Sequence, residues 1–314
     1  MIITRTSING RLTDSLNQSD AGKPGVSLEI RMLKSIQRLN GTFSSLKDQK
    51  SETCGPYSLL KIAQSLETKS EYDLSEDIMA KLSGTTISRD EYELSRKLKG
   101  KSEDELDDRT REVFYPLEMK FSDREEELGT SAVGVLEAAR KVLGNQYSAK
   151  PFFAARNNEV NLTSEAFRKV GELIWENLQK TDLNIILNLQ VDLTCSNAFL
   201  KTPVDLFEFL SREECMELDD WSVGHFVVLA GMIKKYSESG HEFYYVLQDN
   251  YKSRGMSGYI FQPAESLRNA LIRNDGKEGG FIVIYHASRQ DIGKDLESCL
   301  TPGIWDNGTP YRAD

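Results

Sequence analysis

A thiol attacks as the thiolate, so a catalytic cysteine needs surroundings that favour the anion. Cys54 has them in the run Cys54-Gly55-Pro56-Tyr57-Ser58. Leu59, Ile62, Ala63 and Leu66 follow at the spacing of a buried stripe, which predicts a helix over Gly55 to Leu66 with Pro56 in its first turn. The positive end of that helix would stabilise a thiolate at Cys54, and Gly55 is expected to leave space for a substrate. A lone cysteine at a helix start is most often a small buried filler. Its neighbours decide otherwise here. The other thiols fit worse: Cys215 lies among Glu213, Glu214 and Glu217, Cys195 in a polar stretch beyond a strand, and Cys299 near the C-terminus.

The chain has 3 histidines, so the base follows by elimination. His241 falls in a polar turn and His286 at the end of a strand. His225 opens the apolar run His-Phe-Val-Val-Leu-Ala-Gly, where an imidazole is costly to bury without a partner. A hairpin turning near Ser237 or Glu238 would set Asp249 nearly opposite His225, in reach of one ring nitrogen while the other faces the thiol. Asn250 is the alternative orienting residue, because an amide can do the same work and adjacent strand residues face opposite ways. Gln49, five residues before Cys54, is placed to complete an oxyanion hole with the Cys54 N–H.

These segments resemble the C39-like, bacteriocin-processing type of papain-like cysteine peptidase. The resemblance rests on Gln49, the Cys-Gly-Pro helix start, Gly129-Thr130-Ser131 opening a helix that stops at Gly144, the strand at Ile185 to Leu189, His225 to Gly231, and Tyr244 to Asp249, all in the family's order. It implies a papain-like α+β fold, N-terminal helices packed on a C-terminal antiparallel sheet, with Cys54, His225 and Asp249 as triad and Gln49 as oxyanion donor. The implied activity is peptide-bond hydrolysis through an acyl-enzyme. The same apparatus serves glutamine deamidases, transglutaminases and acyltransferases, some of them bacterial effectors acting on host proteins, and the fold also serves as a non-catalytic binding module. Family members that trim leader peptides are fused to transporters, and this chain shows no membrane part, so that substrate is not carried over.

The period of the apolar residues supports this architecture. Leu28 to Leu39, Leu74 to Leu82, Asp90 to Leu98, Ser102 to Val113, Ser131 to Leu143 and Ser164 to Gln179 read as helices. Tyr147 to Ala155, Asn184 to Val191, His225 to Ile233, Phe243 to Gln248 and Gly280 to Tyr285 read as strands. Residues 1–26 form a polar leader, 27–288 the catalytic domain with insertions at 70–128 and 192–221, and 289–314 an irregular tail. No chemistry is evident in 70–128, and its acidic run from Glu103 to Asp108 reads as a solvated face. Tyr244, Tyr245 and Trp221 read as core aromatics before substrate-facing ones.

A net charge of −10 and the lack of a basic stripe oppose nucleic-acid binding. The 4 cysteines have no metal spacing, and they are expected to be reduced. No P-loop or glycine-rich dinucleotide turn is present, so no cofactor or metal is expected. With neither a signal pattern nor an apolar span, the expected setting is cytoplasmic, or a host cytosol reached without a cleavable signal peptide, and the expected partner is a protein or peptide substrate.

Overall fold

The short β-rich runs of the C-terminal half each expose a full set of backbone donors and acceptors, and they satisfy them by pairing with one another. The computed structural model describes residues 27–312 apart from 67, 69, 158, 198, 199, 201, 212–222 and 239. The leader, Cys215 and Trp221 lie outside the described residues. The strands are β1 Ser27–Met32, β2 Thr86–Ser88, β3 Lys120–Ser122, β4 Tyr147–Phe153, β5 Ala155–Arg156, β6 Glu159–Val160, β7 Asn184–Gln190, β8 Gly224–Ser237, β9 Gly240–Gln248, β10 Tyr259–Pro263 and β11 Gly280–His286. The helices are α1 Ile36–Ser45, α2 Cys54–Ser65, α3 Glu76–Leu82, α4 Arg89–Lys97, α5 Asp108–Glu112, α6 Ala132–Leu143, α7 Ser164–Asn177, α8 Pro203–Ser211, α9 Ala264–Ile272 and α10 Gln290–Glu297.

One large antiparallel sheet runs β10-β9-β8-β7-β11-β4, and β1 pairs with β8 beyond the end of β7. The fold is α+β. Its core lies between this sheet and helices on both faces. On one face, Gly55 of α2 sits so close to Phe226 of β8 and Val135 of α6 that a Cβ there would fall 2.5 Å from a Val135 methyl. On the other, Gly171 of α7 admits the Tyr245 hydroxyl and the Phe243 ring of β9 to similar proximity. The sequence expectation that Gly55 makes room for a substrate is therefore corrected: it makes room for the nucleophile helix to pack.

Two further expectations change. Residues 28–39 are not one helix, because Leu28, Ile30 and Met32 alternate as a strand does, and Ser27–Met32 pairs with β8. The helix that follows passes through Asn40-Gly41 to Ser45, with nothing near Gly41. Nor are residues 289–314 irregular throughout: Gln290–Glu297 is helical, and Trp305 is buried with its indole N–H donating to Asn188 Oδ1 at 2.9 Å. Gly280 leaves room for that indole over β11, since a Cβ would lie 2.7 Å from its ring. No helix among the described residues is long and apolar enough to cross a membrane.

Candidate active site

Helix α2 starts at Cys54 itself. No side chain caps it and no acidic residue stands in its first turn, so its unpaired N–H groups and their partial positive charge are left at the thiol. The preceding Thr53 does not cap; its hydroxyl lies 2.6 Å from Glu76 Oε1 and 2.7 Å from the Lys50 carbonyl. Glu76 also accepts from the Lys50 backbone N–H at 2.6 Å. The buried Lys50 ammonium reaches Asp77 Oδ1 and Oδ2 at 2.8 and 2.9 Å and pairs with Glu103. Arg111 donates to the Asp48 carbonyl at 3.0 Å and the Tyr115 hydroxyl to that of Ser51. The stretch 70–128, which shows no chemistry in the sequence, thus supports the loop that carries the nucleophile. Glu103 leaves the solvated run to do so, while Asp107 accepts the Thr110 N–H. Burial pushes the Glu76 carboxyl up to about 7. It does the same to Glu52, at a left-handed φ of 61° two residues before Cys54, with the charges of Glu91 and Glu125 adding to it.

His225 opens β8, and Asp249 follows directly on β9. The hairpin closes at the pair Ser237↔Gly240, one step beyond the expected centre. Carried straight back, that register would put Asn250, rather than Asp249, on the face of His225. The register shifts between Leu229 and Gly231, where Ala230 is an extra residue, and Val228 then pairs with Gln248. His225 and Asp249 consequently share one face and meet on a diagonal, whereas Phe226 and Asn250 share the other. His225 Nε2 lies 3.3 Å from Asp249 Oδ1, and both side chains are buried.

Asp249 is held on every side. Its Oδ1 accepts the backbone N–H groups of Asn250 at 2.7 Å and Tyr251 at 3.0 Å, and Oδ2 receives Arg254 at 2.9 Å. Burial would raise its pKa, but the His225 charge and hydrogen bond, the Arg254 guanidinium and the Tyr251 N–H hold it well below the usual carboxylate range. For His225 the balance also favours charge: burial lowers its pKa, and the Asp249 carboxylate, a hydrogen bond with the Cys54 side chain and that group's charge together raise it to about 9. With Nε2 on the carboxylate, Nδ1 is the nitrogen left for the thiol.

Asn250 takes a different part. Its amide donates to the carbonyls of Cys54 at 3.0 Å and Phe226 at 2.9 Å, and Ser58 Oγ lies 3.2 Å from its Oδ1. It fastens α2 to β8 and leaves the imidazole to Asp249. Lys61, fully buried about two turns along α2, donates to the Gln248 and Asp249 carbonyls at 3.2 and 3.1 Å. Burial lowers its pKa to about 7 against the pull of Asp249.

Gln49 is buried, and its Nε2 donates to the Tyr251 hydroxyl at 3.1 Å. The Tyr251 ring lies nearly parallel to the His225 imidazole, 18° off and 6.2 Å between centroids. Sequence reasoning missed Tyr251, Arg254, Lys61 and the Lys50 cluster. Only Tyr251 had a signal, since it shares strand parity with Asp249.

The remaining residues sit apart. His241 pairs with Glu172 at 2.6 Å, and His286 with Ser288 at 2.7 Å. Tyr244 and Tyr245 are core residues, packed on Phe209 and Phe167. Cys54 and Cys299 are free thiols, whereas Cys195 is disulfide-bonded, which corrects the expectation of reduced thiols throughout. Distance along a sequence does not prevent approach in space. Among the described residues no group of three or more His, Cys, Asp or Glu is placed to hold a metal.

A family model spans residues 33–306, from just before α1 to just past the buried Trp305. The chain belongs to that family, DUF6885, a family of unknown function. The matched span includes the supporting stretch 70–128 as well as Gln49, Cys54, His225 and Asp249. No functionally curated protein matches the chain.

Proposed function

We propose that this protein is a cysteine hydrolase of papain-like kind that cleaves peptide bonds through Cys54, His225 and Asp249. One observation carries the reading: a single buried imidazole is bonded to a carboxylate through Nε2 and to a thiol at a helix start. Transfer of the thiol proton to that imidazole yields the thiolate, the form that attacks. The sulfur then forms a bond to the substrate carbonyl carbon, and the π pair moves to oxygen. As it returns, the C–N bond breaks and His225 passes its proton to the leaving amine. Water, deprotonated by His225, adds to the thioester and releases the acid and the thiol.

Incubating the protein with intact proteins and a peptide library, and reading masses, tests this. Fragments that vanish with Cys54→Ala support a peptidase. Conversion of glutamine NH₂ to OH, or joining of two chains, without fragments, would place the same triad in deamidation or transfer. No change in any mass would favour a binding module.

A further inference from the structure

Tyr251 has the position of a participant. It follows Asp249 by two residues and donates its N–H to Asp249 Oδ1, its ring lies along the imidazole, and its hydroxyl accepts from the amide of Gln49. The Cys54 charge acts on that hydroxyl. A phenol that accepts through its oxygen, as Tyr251 does from Gln49, keeps an O–H that can donate. The two heteroatoms are 3.1 Å apart. An oxygen about 3 Å from both closes a triangle, and that is the separation at which donors stabilise an oxyanion. Burial, followed by the Cys54 charge, pushes the phenol up to about 12, so it stays a donor throughout the range in which a thiolate forms.

We propose that the Tyr251 hydroxyl is a catalytic donor to the oxyanion of the tetrahedral intermediate, acting beside the Gln49 amide. The inference rests on the thiol-hydrolase reading above. Its chemical consequence is selective. A carbonyl substrate needs the hydroxyl, because charge develops on oxygen as the S–C bond forms. An alkyl halide does not, because displacement at carbon sends the charge to the halide.

The experiment compares two reagents on the full chain. With p-nitrophenyl acetate, Cys54 Sγ bonds to the carbonyl carbon and p-nitrophenolate leaves; with iodoacetamide, Sγ bonds to the methylene carbon and iodide leaves. In Tyr251→Phe, which keeps the ring, acylation should fall by about 10²-fold, as for loss of one oxyanion donor, while alkylation of Cys54 stays near the parent rate. Gln49→Met should show the same split, and the double variant should lose less than the product of the two. Equal acylation in Tyr251→Phe and parent would overturn the proposal. So would an equal fall in both reactions, which would place the hydroxyl's action on the thiol or imidazole. A parent Cys54 inert to both reagents would instead remove the hydrolase reading on which this one stands.

Discussion

His225 shares a sheet face with Asp249 because Ala230 adds one residue to the strand that carries the histidine. Without that residue the hairpin register would bring Asn250 to the imidazole face and turn the carboxylate toward α2. Two adjacent side chains that could each accept from an imidazole N–H are thereby given separate tasks. The separation is testable. Asp249→Asn should remove the charge that sustains the imidazolium and slow Cys54 alkylation at neutral pH. Asn250→Ala should leave that reactivity but remove one donor from each of the Cys54 and Phe226 carbonyls, costing about 0.5–1.5 kcal/mol each in urea unfolding. The reverse pattern would assign the orienting role to Asn250.

The pH dependence of stability has two opposed contributions. His225 is raised to about 9 from an unfolded value of about 6.5, so its stabilisation is complete below the lower value and is lost as pH rises through the upper. Lys61 is lowered to about 7 from about 10.4. The unfolded chain binds the extra proton across that interval, and stability rises with pH there. The two oppose each other above pH 7, so variants must separate them. The stability lost in His225→Gln should shrink from about pH 6 to pH 10. The parent should gain on Lys61→Met over the same range. Unfolding differences that do not change with pH would contradict both assignments.

Gly55 should tolerate no side chain. A Cβ falls 2.5 Å from a Val135 methyl and 3.3 Å from the Phe226 ring, so Gly55→Ala should cost about 1–3 kcal/mol through overpacking. Adding Val135→Ala should recover part of that loss. If the single variant folds as stably as the parent, α2 does not pack on β8 this closely.

The support beneath the nucleophile loop should be graded by burial. Lys50→Met leaves Asp77 without its buried cation and should cost about 3–5 kcal/mol. Glu103→Gln, at a carboxylate 34 % exposed, should cost about 1 kcal/mol or less. Thermal unfolding of the two variants measures the contrast, and equal effects would contradict it.

Much of this arrangement was legible in the sequence for a physical reason. The α2 stripe, the Ser131 cap and Gly144 stop of α6, and the apolar runs of β7, β8 and β9 are local signals, and the structure places those elements close to where the periodicities do. Cys54, His225 and Asp249 could be located because each lies at the end of such an element. What the sequence hid is non-local. A bulge at Ala230 leaves no local mark in an apolar run. Lys50, Lys61 and Arg254 look like ordinary surface cations until their partners, distant or across a turn, enclose them. Trp305 reads as tail because its site, over Gly280 and beside Asn188, is built by strands far upstream.

If His225 serves Cys54 as its base, alkylation of the thiol reports it. Iodoacetamide rates at each free cysteine, followed by mass spectrometry across the acid and neutral range in the parent and in His225→Ala, give the result. Cys54 is expected to react much faster than Cys299 at acid and neutral pH, and His225→Ala is expected to remove the difference. A Cys54 that reacts no faster than Cys299 across that range, and is unchanged by loss of the imidazole, would overturn the pairing.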